Sequence, residues 1–144
     1  MTARETEYAI GALARETGVK VPTIRFYESI GLMPKPKRSS GNRRVYGDDA
    51  LRRLKFVRHA RELGFDVAAI RNLLALADDP HRSCAEVDGI ARAHLKDIDS
   101  RISRLKSLRS EMRRMIDQCG HGRTSDCRIL EVLGNHDFCT HHAH

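Results

Sequence analysis

The sequence predicts a mainly α-helical protein. It has a small N-terminal helix-turn-helix domain with a basic hairpin, one long helix that pairs with another helix, and a C-terminal cysteine-bearing loop ending in a short helix. Three observations predict this. Two apolar helical patterns are punctuated by Gly18 and Pro22, a heptad-like stripe runs from Cys84 to Cys119, and all the excess positive charge lies before residue 66. The domain plan is then residues 1–80 for the N-terminal domain with its linking helices, 81–119 for the long helix, 120–135 for the loop and short helix, and 136–144 for a His/Cys-rich tail.

The charge is the first guide to a partner. Net charge is +7 over 144 residues; residues 1–65 hold 14 Lys and Arg against 7 Asp and Glu, and residues 66–144 hold 12 against 12. A solvated basic surface explains any single Lys or Arg, but a whole basic segment fits a polyanion, and nucleic acid is the commonest one. With 40% hydrophobic residues the chain can bury one modest core. A long exposed helix would leave its apolar seam uncovered, so dimerisation is expected. No apolar run is long enough to span a membrane and the N-terminus carries no signal-peptide pattern. A cytoplasmic location is expected, where thiols stay reduced and four cysteines suggest metal or redox chemistry sooner than a disulfide framework.

From Tyr8 to Ile30 the pattern is a short strand, a helix, a tight turn and a second helix. Ile10, Leu13 and Ala14 give the first helix an apolar face, and Gly18 stops it by taking the left-handed conformation without steric penalty. Pro22 suits the first turn of the next helix, where its missing N–H is not needed. That second helix carries Thr23, Arg25, Tyr27 and Glu28 beside the core-directed Ile24, placing hydrogen-bonding groups where a recognition helix meets a major groove. Residues 31–46, with Pro34, Pro36, Gly41 and five Lys or Arg, predict two short strands around a turn at 39–42, a basic hairpin suited to a phosphate backbone or a plain surface loop. Asp48 and Asp49 open a helix through Leu51, Leu54, Phe56 and Val57 to Gly64. Another begins near Asp66 with Val67, Ile70, Leu73 and Leu74 on one face, and Asp78, Asp79 and Pro80 end it.

The long helix follows. In sevens come Cys84, Ala91, Ile98, Leu105, Met112 and Cys119, with Val87, Leu95, Ile102, Leu108 and Met115 between them. Its 35-residue span from Cys84 to Cys119 sets the two thiols roughly 50 Å apart along one helix. They cannot share a ligand within one chain. An antiparallel pair about a two-fold axis would bring each Cys84 beside the other subunit's Cys119, whereas a parallel or intramolecular pair would leave both as small core residues.

The runs IGALARETGVKVPTIRFYESIGLMPKPKRSSGNRRVY, LRRLKFVRHARELGF and IRNLLAL resemble the MerR family of bacterial transcription regulators, and the likeness extends through Cys119 to Leu133. The resemblance implies a winged helix-turn-helix domain, a linking helix pair and an antiparallel coiled-coil homodimer. It also implies double-stranded promoter DNA as partner, bent and untwisted so that RNA polymerase can use badly spaced −35 and −10 elements. Carried over by motif, Arg25, Phe26 and Tyr27 match the recognition-helix positions that approach DNA, and Arg38, Arg43 and Tyr46 match the wing. Arg25 is the first candidate for a base or adjacent phosphate contact, since its fork makes two hydrogen bonds at once. Phe26 suits either that surface or the core.

The chemistry lies in CGHGRTSDCRILEVL. Gly120 and Gly122 let the chain leave the helix and turn, and Ser125 or Asp126 is placed to cap a short helix starting near Cys127. Cys119 and Cys127 become two arms of a metal loop, and Cys84 of another subunit offers a third thiolate. Thiolates select soft or borderline metals. The family's copper-type sensors carry Ser where this chain has Cys84; a third thiolate suits a divalent effector, zinc, cadmium or lead, with mercury as a further candidate. His121 is a fourth candidate ligand, and His136, Cys139, His141, His142 and His144 form an auxiliary tail cluster. The alternative is a copper(I)-responsive or thiol-redox-responsive regulator. An iron–sulfur centre usually needs four close cysteines and the loop supplies two. A zinc enzyme would need an open coordination position and a general base in a cleft, a constellation not visible in the sequence, and no catalytic residue is assigned.

Overall fold

The computed structural model describes residues 6–120 and 122–135, and the chain forms two compact units, 1–90 and 91–144. In the first unit, α1 (Ile10–Thr17) ends at Gly18, whose φ of 72° and N–H bond to the Ala14 carbonyl at 2.8 Å close the helix in the left-handed way the glycine predicts. Thr17 tightens the turn from inside: its Oγ1 donates to the Leu13 carbonyl at 2.8 Å and accepts from the Val19 N–H at 3.3 Å. α2 (Val21–Ser29) follows with Pro22 in its first turn.

The hairpin forms as the spacing predicts. β1 (Lys37–Arg38) and β2 (Arg44–Val45) pair antiparallel, Lys37 opposite Val45 and Arg38 opposite Arg44. Asn42, with φ of 60°, takes the left-handed residue of the turn, a role Asn tolerates better than most side chains. Tyr8 and Tyr46 exchange backbone hydrogen bonds of 2.7 and 2.8 Å, which ties the hairpin to the N-terminal segment.

α3 (Asp48–Glu62) opens with both aspartates in its first turn, and α4 (Val67–Ala77) is capped by Asp66, which accepts from the Ala69 N–H at 2.8 Å. Leu13, Ile24, Leu32, Met33, Leu54, Val57 and Ile70 form the centre of the core and are essentially sealed from solvent. Three arginines of α3 and α4 satisfy carbonyls that the helix ends leave free. Arg58 donates to the Thr17 carbonyl, Arg71 to that of Ile30 at 2.6 Å, and Arg53 to that of Leu32 at 2.8 Å. They tie the end of α1 and the segment just after α2 to the helices behind them, a tertiary role that periodicity does not reveal.

α5 (Cys84–Asp117) is one helix of 34 residues, about 50 Å long. Ser83 caps it, its Oγ accepting from the Ala85 N–H at 3.1 Å. Within the second unit, Leu95, Ile98, Ile102, Leu105, Met112 and Ile116 are exposed to a degree unusual for large apolar residues. Met115 departs from the expected seam: it is buried together with Glu111, close to the end where the chain folds back. The return runs through a 3₁₀ turn (Thr124–Asp126) into α6 (Arg128–Gly134). Neither Ser125 nor Asp126 caps α6, as both lie in the 3₁₀ turn and Cys127 itself occupies the N-cap position.

Candidate functional site

The first unit carries a basic groove between α2 and the hairpin, lined by Arg25, Glu28, Ser29, Lys35, Arg38 and Arg44. Helical phase decides which α2 side chains reach it. Ile24 and Tyr27, three residues apart, point into the core, so Pro22, Arg25, Phe26 and Ser29 fall on the outer face. Phe26 is 54% exposed and Tyr27 only 9%. The core assignment open to Phe26 therefore does not hold for it, and Tyr27 beside it is the buried one. Thr23 is partly exposed beside them.

In the hairpin, Arg38 and Arg43 are exposed, and Arg38 Nη1 donates to the Asn42 carbonyl at 3.1 Å, holding the turn. Tyr46, like Tyr27, is buried. Only 2% of it is exposed, and its hydroxyl donates to Glu28 Oε1. Burial and that carboxylate push the Tyr46 phenol well above its ordinary pKa, so it stays a donor at every physiological pH. Glu28, expected on the recognition helix, and Arg44, expected in the basic hairpin, both line the groove, although the family motif had not singled them out.

The second unit brings Cys119 and Cys127 together, their sulfurs 3.9 Å apart. Two features fold the loop this way. Cys127 heads α6, and Arg128 Nε donates to Gln118 Oε1 at 3.2 Å, so the residues outside both cysteines are joined as well. The Leu130 and Ile129 N–H groups at the start of α6, together with the Cys119 thiol, hold Cys127 below the ordinary thiol range against an opposing desolvation, although no formal capping hydrogen bond is made. Cys84 is exposed at the head of α5. Among the described residues no three His, Cys, Asp or Glu side chains converge to hold a metal. His121, His136, Cys139, His141, His142 and His144 lie outside the described residues.

A helix-turn-helix joined to a basic hairpin defines a DNA-binding regulatory protein. Family models agree: "MerR HTH family regulatory protein" matches residues 8–77 and "MerR, DNA binding" matches residues 51–115. The HTH-type transcriptional regulator ZntR of Escherichia coli is 42% identical over 88% of this chain and 92% of that protein. Heavy metal-dependent transcription regulator 2 of Rhizobium meliloti is 34% identical over 88% of this chain and 86% of its own. The solved structure of the transcription regulator PbrR691 from Ralstonia metallidurans CH34 in complex with lead(II) has 36% identity and a TM-score of 0.75, covering 88% of this chain and 98% of that one. The chain belongs to the MerR family of helix-turn-helix regulatory proteins. No helix among the described residues is long and apolar enough to cross a membrane.

Proposed function

We propose that this protein is a metal-responsive transcription activator. It binds promoter DNA as a homodimer, senses a divalent thiophilic ion, zinc, cadmium or lead, and turns on a metal-resistance or efflux promoter by distorting its DNA for RNA polymerase. The observation that carries the reading is the thiol pair. A tetrahedral ion with metal–sulfur bonds of about 2.3 Å holds two sulfurs about 3.8 Å apart. Cys119 and Cys127 stand at 3.9 Å. The spacing supports one ion shared by both sulfurs, and the divalent reading over copper(I) is supported by the third thiolate, Cys84, where copper-type relatives carry Ser.

Two thiolates leave a divalent ion short of ligands, and a third is supplied by Cys84 of a second copy. The exposed apolar stripe of α5 supports that pairing, because a helix with so many large apolar residues in water calls for a partner. His121 is the remaining candidate in the loop, and the tail cluster a weaker auxiliary site. The names of the similar regulators, heavy metal-dependent or solved with lead(II), point to the same chemistry.

The test mixes two defective chains, one Cys84→Ser and the other Cys119→Ser with Cys127→Ser. Their heterodimer holds one complete thiolate set and one position with none, so one high-affinity metal site per heterodimer is expected. If heterodimers form and no site reappears, Cys84 does not act across the interface. A promoter-reporter titration with zinc, cadmium, lead, mercury, copper and the thiol oxidant diamide ranks the effectors. Because the Cys119 and Cys127 contact could also close into a disulfide, strong induction by diamide without metal would replace the metal reading with a redox one.

A further inference from the structure

A carboxylate is an odd occupant of a groove that faces phosphates. Glu28 sits among Arg25, Lys35, Arg38 and Arg44, with its side chain 9% exposed. Both of its oxygens are engaged. Oε1 accepts from the Tyr46 hydroxyl, and Oε2 lies 3.6 Å from Arg44 Nη1. Glu28 belongs to α2, whereas Arg44 and Tyr46 belong to β2 and the residue just after it. The hairpin has two residues per strand, and so short a two-stranded ribbon is marginal in water without an anchor. One end of it is pinned by the Tyr8 and Tyr46 backbone pair, and a hydrogen bond and an ion pair, both through Glu28, tie its side chains to α2.

We propose that Glu28 is a positioning residue for DNA recognition: its carboxylate joins α2 to the hairpin through Tyr46 and aims Arg44, so that recognition helix and wing meet the duplex in one fixed register. The proposal rests on the groove being the DNA interface. Its signature is a sign reversal. By charge alone, removing a carboxylate from a phosphate-facing surface tightens binding, and removing a buried hydroxyl leaves the charge unchanged. As a positioning device, either loss weakens binding.

Operator and random-duplex affinities are measured over a range of salt for the full-length wild type, Glu28→Gln and Tyr46→Phe. Both variants are expected to bind operator about tenfold more weakly, the scale of one lost hydrogen bond to a charged group. They should also lower the slope of log affinity against log salt by about one for each phosphate contact the loosened wing gives up. A merely structural role would reduce the DNA-competent fraction, read by stoichiometric titration with operator, and leave the slope unchanged. Glu28→Gln binding operator as tightly as the wild type or more so overturns the proposal, as does Tyr46→Phe with wild-type affinity and slope. A wild type that fails to discriminate operator from random duplex removes the interface reading itself, and the proposal with it.

Discussion

Truncating Leu105 to Ala tests whether the α5 stripe is a dimer seam, and the structure sets the size of the effect. Leu105 is 64% exposed in the single chain, so nearly two thirds of its surface is available for burial by a partner. Deleting three carbons at about 0.8 kcal/mol per buried CH₂, scaled by that fraction, costs about 1.5 kcal/mol per protomer. A two-fold dimer contains the substitution twice, which gives about 3 kcal/mol, or roughly a hundredfold rise in dimer Kd. Ala is a better helix former than Leu, so the helix is not weakened by the change. Sedimentation across a dilution series reads the Kd, with Lys106→Ala, an exposed position next to the stripe, as the neutral control. A Leu105→Ala Kd within threefold of the control would refute the seam and, with it, the delivery of Cys84 to the thiol pair of a second copy.

Adjacent α2 residues should separate stability from recognition. Tyr27→Ala costs about 3–5 kcal/mol in urea unfolding as a core truncation. Phe26→Ala stays within about 1 kcal/mol yet weakens operator binding, and the reverse pattern would contradict the helical phase. Arg25→Ala is expected to lose about 1–3 kcal/mol of operator preference over random duplex in competition binding; unchanged specificity would remove it from the reading face. Gly18→Ala forces a Cβ into a φ of 72° and against the Arg58 guanidinium, so chemical unfolding should show a loss of about 1–3 kcal/mol, and an unchanged midpoint would count against the turn. For Cys127, the N–H groups of α6 favour the thiolate, so in metal-free protein its alkylation rate should rise at lower pH than in the denatured chain, followed by site-resolved mass spectrometry. Coincident profiles would deny the α6 effect.

The local elements were legible in the sequence because each has a short-range cause. Gly18 and Pro22 bound the turn between α1 and α2, Asp66 caps α4, and the basic residues flanking the 39–42 turn lie on a real hairpin. The cysteine spacing likewise placed Cys119 and Cys127 on two sides of one loop. Neighbours one position apart were harder. Phe26 and Tyr27 differ by about 100° around the helix, and which of them is buried depends on the face that the core covers. The family motif placed Tyr46 in the wing, but that its hydroxyl donates to Glu28 of α2 was not legible, because the two are 18 residues apart.

Composition, periodicity and spacing thus determined the class of fold, the basic N-terminal half and the pairing of Cys119 with Cys127 on one loop, since helix caps, turn glycines and short loops act over a few residues. Tertiary structure alone decided which side chains of α2 face outward, that arginines of α3 and α4 hold the end of α1 and the segment after α2, and that Glu28 binds the wing. Each of these depends on residues distant in sequence meeting in space: Arg58 with Thr17, Arg53 with Leu32, Tyr46 with Glu28. Such meetings are fixed by how whole helices pack, a property no local pattern encodes.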